Sequence, residues 1–254
     1  SKGTVMVVNG FTRVSAPDWF EAGEIAGFYD ERDHGVPYVN DISFIGSQFE
    51  FRREIPWMDD DAAGFGASRS NYETKVIAGN TFDYPIVHGE AIMAAGYSFV
   101  SSSMDAFAGK SFNAEQYPVV DIIMGKQKEV KIGRGAVPNR YKTMSPELMT
   151  TITEYTKTGG NVMLTGSFIA TDIWDKKNAV EEEKAFAADV LGYKWRVGQA
   201  AIVGKIHSVP SIHSKLSDDG SWTFGMELND KIYAVESPDA IYPADTQTGA
   251  TVFR

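Results

Sequence analysis

Short apolar runs that end on glycine or a polar turn recur along this chain up to residue 192, with helix-patterned segments between them. Val5-Met6-Val7-Val8 stops at Asn9-Gly10. Tyr97-Ser98-Phe99-Val100-Ser101 follows, Val119 to Met124 stops at Gly125-Lys126-Gln127, and Asn161-Val162-Met163-Leu164-Thr165 stops at Gly166. The first run, without polar alternation, reads as a strand buried on both faces of a parallel sheet, and the others read as strands as well. Between them, Pro85 to Ala95 has apolar residues at helical spacing, opens on proline and closes on Gly96. Ser145 caps a helix with Pro146 in its first position, Glu147 in its first turn, Leu148, Ile152 and Tyr155 on one face, and Gly159-Gly160 as its stop. A further helix runs from Val180 to Leu191 and ends at Gly192. Strands alternating with helices predict an α/β protein with a doubly wound, mostly parallel sheet.

Two stretches depart from that alternation. Residues 11–82 mix Gly, Asp, Asn and aromatics without sustained periodicity, and a structureless loop of that length is implausible in a compact domain. A large irregular insertion after the first strand, carrying short helices, is expected there. Residues 200–254 carry short strand-like runs at Ala201 to Gly204, Trp222 to Phe224 and Lys231 to Val235, and predict a β-rich extension built from hairpins. The whole of 1–254 is expected to form one domain, because 254 residues with 43% hydrophobic side chains can fill a core.

The chain has no cysteine, which excludes disulfides, thiolate-held metals and a thiol nucleophile. Lys and Arg number 24 against 34 Asp and Glu, a net charge of −10 that disfavours long nucleic acid as a partner. No run approaches the roughly 18 apolar residues of a membrane span. Both ends lie against strand-like runs, so the sequence is expected to be part of a longer polypeptide.

In an open parallel sheet, ligands bind beyond the carboxyl ends of the strands. That rule nominates the loops beginning at Asn9-Gly10, at Ser101-Ser102-Ser103-Met104-Asp105, at Gly125-Lys126-Gln127 and at Gly166-Ser167. Ser102, Ser103, Lys126 and Gln127 are thereby candidate ligand contacts. Ser167 follows a strand and is a candidate nucleophile, although Gly166-Ser167-Phe168-Ile169-Ala170 lacks the second glycine of a nucleophile elbow. His88 is a candidate acid–base group, with Asp105 or Asp83 as carboxylate partner, although a helix histidine hydrogen-bonded at a surface edge is the simpler reading. Asp59-Asp60-Asp61 is oxygen-rich and suits Ca²⁺ if it is more than a solvated turn. Lys126, Lys128, Lys131 and Arg134 form a basic run. Trp19, Phe20, Tyr38, Trp57, Phe65 and Tyr72 can present flat faces to sugar rings or fill a core.

The segment Leu148 to Trp174, with Glu154 to Leu164 at its centre and Gly159-Gly160 between helix and strand, resembles class I glutamine amidotransferase-like domains, whose sheet is flavodoxin-like. Catalytic members place a cysteine after this type of strand; here the position falls on Gly166 or Ser167. A wider likeness is carried by Val8-Asn9-Gly10-Phe11 with Arg13-Val14-Ser15, Asp41 to Gly46, Gly64 to Ser68, Ala78-Gly79-Asn80-Thr81-Phe82-Asp83-Tyr84-Pro85, Gly96 to Ser101 and Glu236 to Ile241. These look like the amidotransferase-like region of large secreted Bacteroidetes proteins often labelled xanthan lyase, which carry fibronectin-type and golvesin-like neighbours. The resemblance implies a secreted, periplasmic or cell-surface location, a carbohydrate or cell-wall glycan as ligand, and flanking domains in the same chain. It adds Asn9, Arg13, Ser15, Asn80, Asp83 and His88 as candidates for a shared pocket. Asn80 to Asp83 reads equally as a turn and helix cap.

Two functions follow as expectations. One is a non-catalytic, ligand-binding or scaffolding module without a cofactor; the other is a hydrolase or polysaccharide lyase using Ser167 or His88. Geometry decides between them, since an enzyme needs a base within reach of a second titratable group in a cleft.

Overall fold

The computed structural model describes residues 1–12, 19–28, 84–125, 127–129, 140–198, 200, 204–207, 209, 221–224, 226–227, 233–234, 239–249 and 251. Its centre is a parallel sheet of four strands, β1 (Thr4–Asn9), β4 (Ser98–Ser103), β5 (Val119–Gly125) and β6 (Asn161–Gly166), in the order β4-β1-β5-β6. The chain leaves β1 for the β4 edge and returns to the other side of β1 to lay down β5, so strand order reverses between β1 and β5. The α/β class and parallel sheet expected from the sequence are present.

Pleating divides the sheet residues between two faces. Met6, Val8, Val120, Ile122 and Met124 point into the main core, where they meet α2 (Met104–Ala108), α3 (Pro146–Lys157) and α5 (Glu181–Asp189) through Phe107, Leu148, Ile152 and Phe186. The other face carries Val5, Val7, Asp121 and Ile123 and receives α1 (Tyr84–Ala94), which packs on β1 and β4. α1 comes so close to β4 at Gly89 that a Cβ there would lie 2.3 Å from the Phe99 ring.

The helix ends follow the local sequence. Ser145 Oγ accepts the Leu148 N–H at 3.2 Å, Pro146 occupies the first turn, and Gly159, at φ +92°, turns the chain after α3. Tyr155 then donates its hydroxyl proton to the Tyr117 carbonyl at 2.7 Å, tying α3 to the entry of β5.

Beyond β6 lies a short helix, α4 (Thr171–Trp174), and after α5 the strand β7 (Tyr193–Val197) pairs antiparallel with β12 (Ala240–Pro243). Antiparallel pairs also join β8 (Gly204–His207) to β9 (Ser221–Phe224) and β10 (Met226–Glu227) to β11 (Tyr233–Ala234), the hairpin character expected of 200–254. Within 11–82, the described residues include a hairpin of β2 (Trp19–Ala22) and β3 (Ile25–Phe28) turning at Gly23, φ +66°. The short helices expected in that stretch lie outside the described residues.

Candidate functional site

At the carboxyl edge of the sheet, on the α1 side, Tyr84, His88, Ile123, Gly125, Thr165, Gly166 and Ser167 line a cup of about 240 Å³. It touches two of the four nominated loops. The strand ends make its floor: Gly125, at φ +52°, opposes Gly166 across a register shift, and a Cβ on Gly166 would lie 2.7 Å from Met124 Cβ. Tyr84 forms one wall, held edge-to-face against Phe11 with ring centroids 5.9 Å apart.

His88 brings an imidazole to the cup. Its Nδ1 lies 2.7 Å from Asp121 Oδ2, with the histidine side chain 27% exposed and the aspartate 5%. Asp121 is the lone carboxylate in an apolar strand, and such a group needs a partner when buried. An Nδ1–H donated to the carboxylate leaves Nε2 as an acceptor, the arrangement that a histidine base requires. The other carboxylate oxygen, Oδ1, is buried without a hydrogen-bond partner, as is Asn9 Oδ1 on the neighbouring strand. Asn9 Nδ2 donates to the Phe11 carbonyl at 3.3 Å.

Ser167 lines the same cup but lacks the features of an elbow nucleophile. Among the described non-glycine residues only Lys110 and Tyr141 have positive φ, so Ser167 sits in ordinary backbone. Its N–H is spent on the Gly125 carbonyl at 2.8 Å, and its carbonyl accepts the Asp239 N–H at 3.1 Å. The N–H groups of Ala170 and Thr171, which open α4, are taken by the Asp239 carboxylate at 2.8 and 2.6 Å. Burial raises Asp239 above the ordinary carboxylate range, outweighing the Thr171 and Ala170 hydrogen bonds and the nearby Lys128 ammonium.

The remaining candidates are placed as follows. Asp105 is exposed on α2, whose Met104 and Phe107 pack on the opposite face from α1; the carboxylate beside His88 is Asp121 instead. Ser103 Oγ caps α2 by accepting the Ala106 N–H, and Ser102 Oγ donates to the Ser103 carbonyl. Gln127 is buried, and its amide is committed to Thr12: Oε1 accepts the Thr12 N–H at 3.1 Å and Nε2 donates to Thr12 Oγ1 at 2.9 Å. These groups shape loops. Arg13, Ser15, Asp59, Asp60, Asp61, Asn80, Asp83 and Lys126 lie outside the described residues, as do Lys131 and Arg134. No cluster of three or more His, Asp or Glu able to hold a metal occurs among the described residues.

In α4, buried Asp172 accepts the Glu129 N–H and both the N–H and hydroxyl of Thr143, fixing the segment after β5. Lys176 lies 3.4 Å from both Glu129 and Glu183, and Lys142 also pairs with Glu183. Burial works against the Lys176 charge, but Asp172, Glu129 and Glu183 prevail and hold its ammonium above the usual lysine range.

Sequence reasoning missed Asp121, Tyr84 and Thr165 as site residues. A signal existed for Asp121, because a carboxylate within Val119 to Met124 has to be paired; its histidine partner, 33 residues earlier, could be named only from the fold.

Comparison with protein-family models finds no match, and comparison with curated proteins and with solved structures finds no significant match.

Proposed function

We propose that this chain is a catalytically silent, ligand-binding α/β module of the flavodoxin-like, amidotransferase-like kind, acting within a secreted glycan-handling protein with the cup at the carboxyl edge as its binding site. The observation that carries the silent reading is Ser167: at the position after the strand it has unstrained backbone, and the N–H groups that open the following helix are taken by Asp239. A serine nucleophile needs an exposed Oγ on a strained turn and free backbone donors for the developing oxyanion. The cup instead offers a tyrosine wall, a glycine floor and a histidine, which suits the edge of a sugar ring, with an apolar side for stacking and an acceptor for a hydroxyl. Ca²⁺ at Asp59 to Asp61 and contacts from flanking domains belong to this reading as further elements.

A second reading has a specific observation in its favour. The His88–Asp121 pair gives a base of fixed tautomer, which a hydrolase or polysaccharide lyase uses to deprotonate water or a carbon acid. A glycan-array screen with and without Ca²⁺, run beside a product assay on uronate-containing polysaccharides and peptidoglycan fragments, separates the two. Binding without product is expected. Product formation that disappears in His88→Ala makes the chain an enzyme, and neither binding nor product across the panel removes carbohydrate as the ligand.

A further inference from the structure

Among the described residues the outer edge of β4 is open. Among the described residues β4 pairs only with β1, and Ser98, Val100, Ser101 and Ser103 are exposed. Free edges are ordinarily blunted by lysine, proline or a bulge, because their unpaired N–H and C=O groups template another strand. Ser98-Phe99-Val100-Ser101-Ser102-Ser103 has no charged residue, no proline and no register shift against β1. Beside it, α1 exposes three large apolar side chains, Ile86, Val87 and Met93, at 58%, 59% and 53%, with Glu90 among them. Large apolar side chains grouped on an exposed surface mark a contact site.

We infer that this edge is the interface of a homodimer, in which β4 pairs antiparallel with β4 of a second copy across a twofold axis at Ser101, making one continuous eight-stranded sheet. The occupant is argued from self-complementarity. A twofold axis places Ser101 opposite itself, Phe99 opposite Ser103 and Val100 opposite Ser102, so each large side chain meets a small one. No charge is opposed to itself, which would be unfavourable across a strand pair.

The ends of the strand also match. Lys2 marks the amino end: its ammonium donates to the Ala95 carbonyl and lies 5.7 Å from the Tyr97 ring centroid. Exposed Asp105 marks the carboxyl end. Antiparallel pairing at Ser101 sets Tyr97 and Lys2 of each copy alongside Asp105 of the other, giving two opposite-charge pairs. The axis is perpendicular to the sheet, so the two α1 helices lie on the same face, one on each side of the new strand pair.

The test is sedimentation equilibrium of the whole chain, together with crosslinking that exploits the absence of cysteine. Wild type is expected to show twice the chain mass, and Ser101→Lys, which sets like charges face to face, to be a monomer with an unchanged far-ultraviolet spectrum. Ser101→Cys is expected to form a covalent dimer under mild oxidation, since directly opposed positions come within about 5 Å, whereas Ser111→Cys, exposed outside the strand, is not. Lys2→Glu alters both symmetry-related ion pairs and is expected to weaken the dimer about tenfold; adding Asp105→Lys restores it. A wild-type monomer at all concentrations, a dimer that survives Ser101→Lys, or a Ser101→Cys chain that does not crosslink overturns the proposal.

Discussion

Asp239 caps the helix that begins at Thr171, from 68 residues further along the chain: its carboxylate accepts the Thr171 N–H at 2.6 Å and bonds the Thr171 hydroxyl. α4 has no side-chain cap of its own, since Ala170 stands at its N-cap. A carboxylate at a helix N-terminus satisfies open N–H groups there. The contact also pins the segment before β12 to the turn that holds Ser167.

The Asp239 proton gives the first prediction. Burial raises its folded-state pKa above the ordinary 3.8, so the folded chain binds this proton more tightly than the unfolded one. The stability it contributes is therefore fully present below about 3.8 and is lost as pH rises through the raised value. Urea unfolding of wild type against Asp239→Asn is expected to favour wild type most near pH 4 and progressively less toward neutrality. A difference that grows with pH contradicts the assignment.

His88 and Asp121 form the second. Removing the imidazole leaves a buried carboxylate unpaired, at a cost of about 2 to 3 kcal/mol, which lowers Tm by roughly 4 to 12 °C at this chain length. Replacing both residues by leucine removes the charge along with its partner, and the double variant is expected to melt well above His88→Ala. Thermal melts of wild type, His88→Ala and the double leucine variant check this; a double variant that melts no higher than His88→Ala counts against a coupled pair.

Alkaline titration provides a third. Tyr193 donates to the Ile169 carbonyl at 2.7 Å, and burial, reinforced by the negative charge of Asp239, pushes its phenol far above the ordinary value of 10.0. Burial also raises Tyr155, against the backbone hydrogen bond at Asn161. Raised pKa values make the stability from these groups whole below pH 10 and diminishing as pH climbs beyond it. Absorbance at the phenolate band is expected to show Tyr193 ionising only with unfolding and Tyr155 above the ordinary tyrosine range, and Tyr193→Phe to lessen the alkaline loss of stability while costing about 1 kcal/mol at neutral pH.

Gly89 carries a fourth. Gly89→Ala puts a methyl group into the Phe99 ring and is expected to cost about 1 to 3 kcal/mol by overpacking, measured by urea unfolding. Phe99→Leu in the same chain is expected to return part of it. Equal stability of Gly89→Ala and wild type would mean that α1 does not press on β4.

The central strands were legible because their signals are local. Val5 to Val8, Val119 to Met124 and Asn161 to Thr165 are apolar without alternation and stop at glycine or a polar turn, and Ser145-Pro146 announces α3 within three residues. The pairing of β7 with β12 was not legible, because the strands are about 45 residues apart and mixed in polarity. The β2–β3 hairpin carried a weak signal in Gly23-Glu24 between two aromatic-containing runs, and it was obscured by the aperiodic sequence around it. At the site, strand-end topology reached Gly125, Gly166 and Ser167. It overreached at Gln127 and Ser103, whose side chains are used up by Thr12 and by the α2 cap, since sequence marks where polar groups fall and not which are already bonded.

The most direct measurement of the central claim is a titration calorimetry series on a glycan taken from the array, comparing wild type, Thr165→Phe and His88→Ala, with each mixture analysed for product at the end. A silent module whose site is the cup predicts binding by wild type, a loss of at least about tenfold in Thr165→Phe because the ring fills the cup, and unaltered glycan in every mixture. Affinity that ignores Thr165→Phe, or product that appears with wild type and not with His88→Ala, contradicts it.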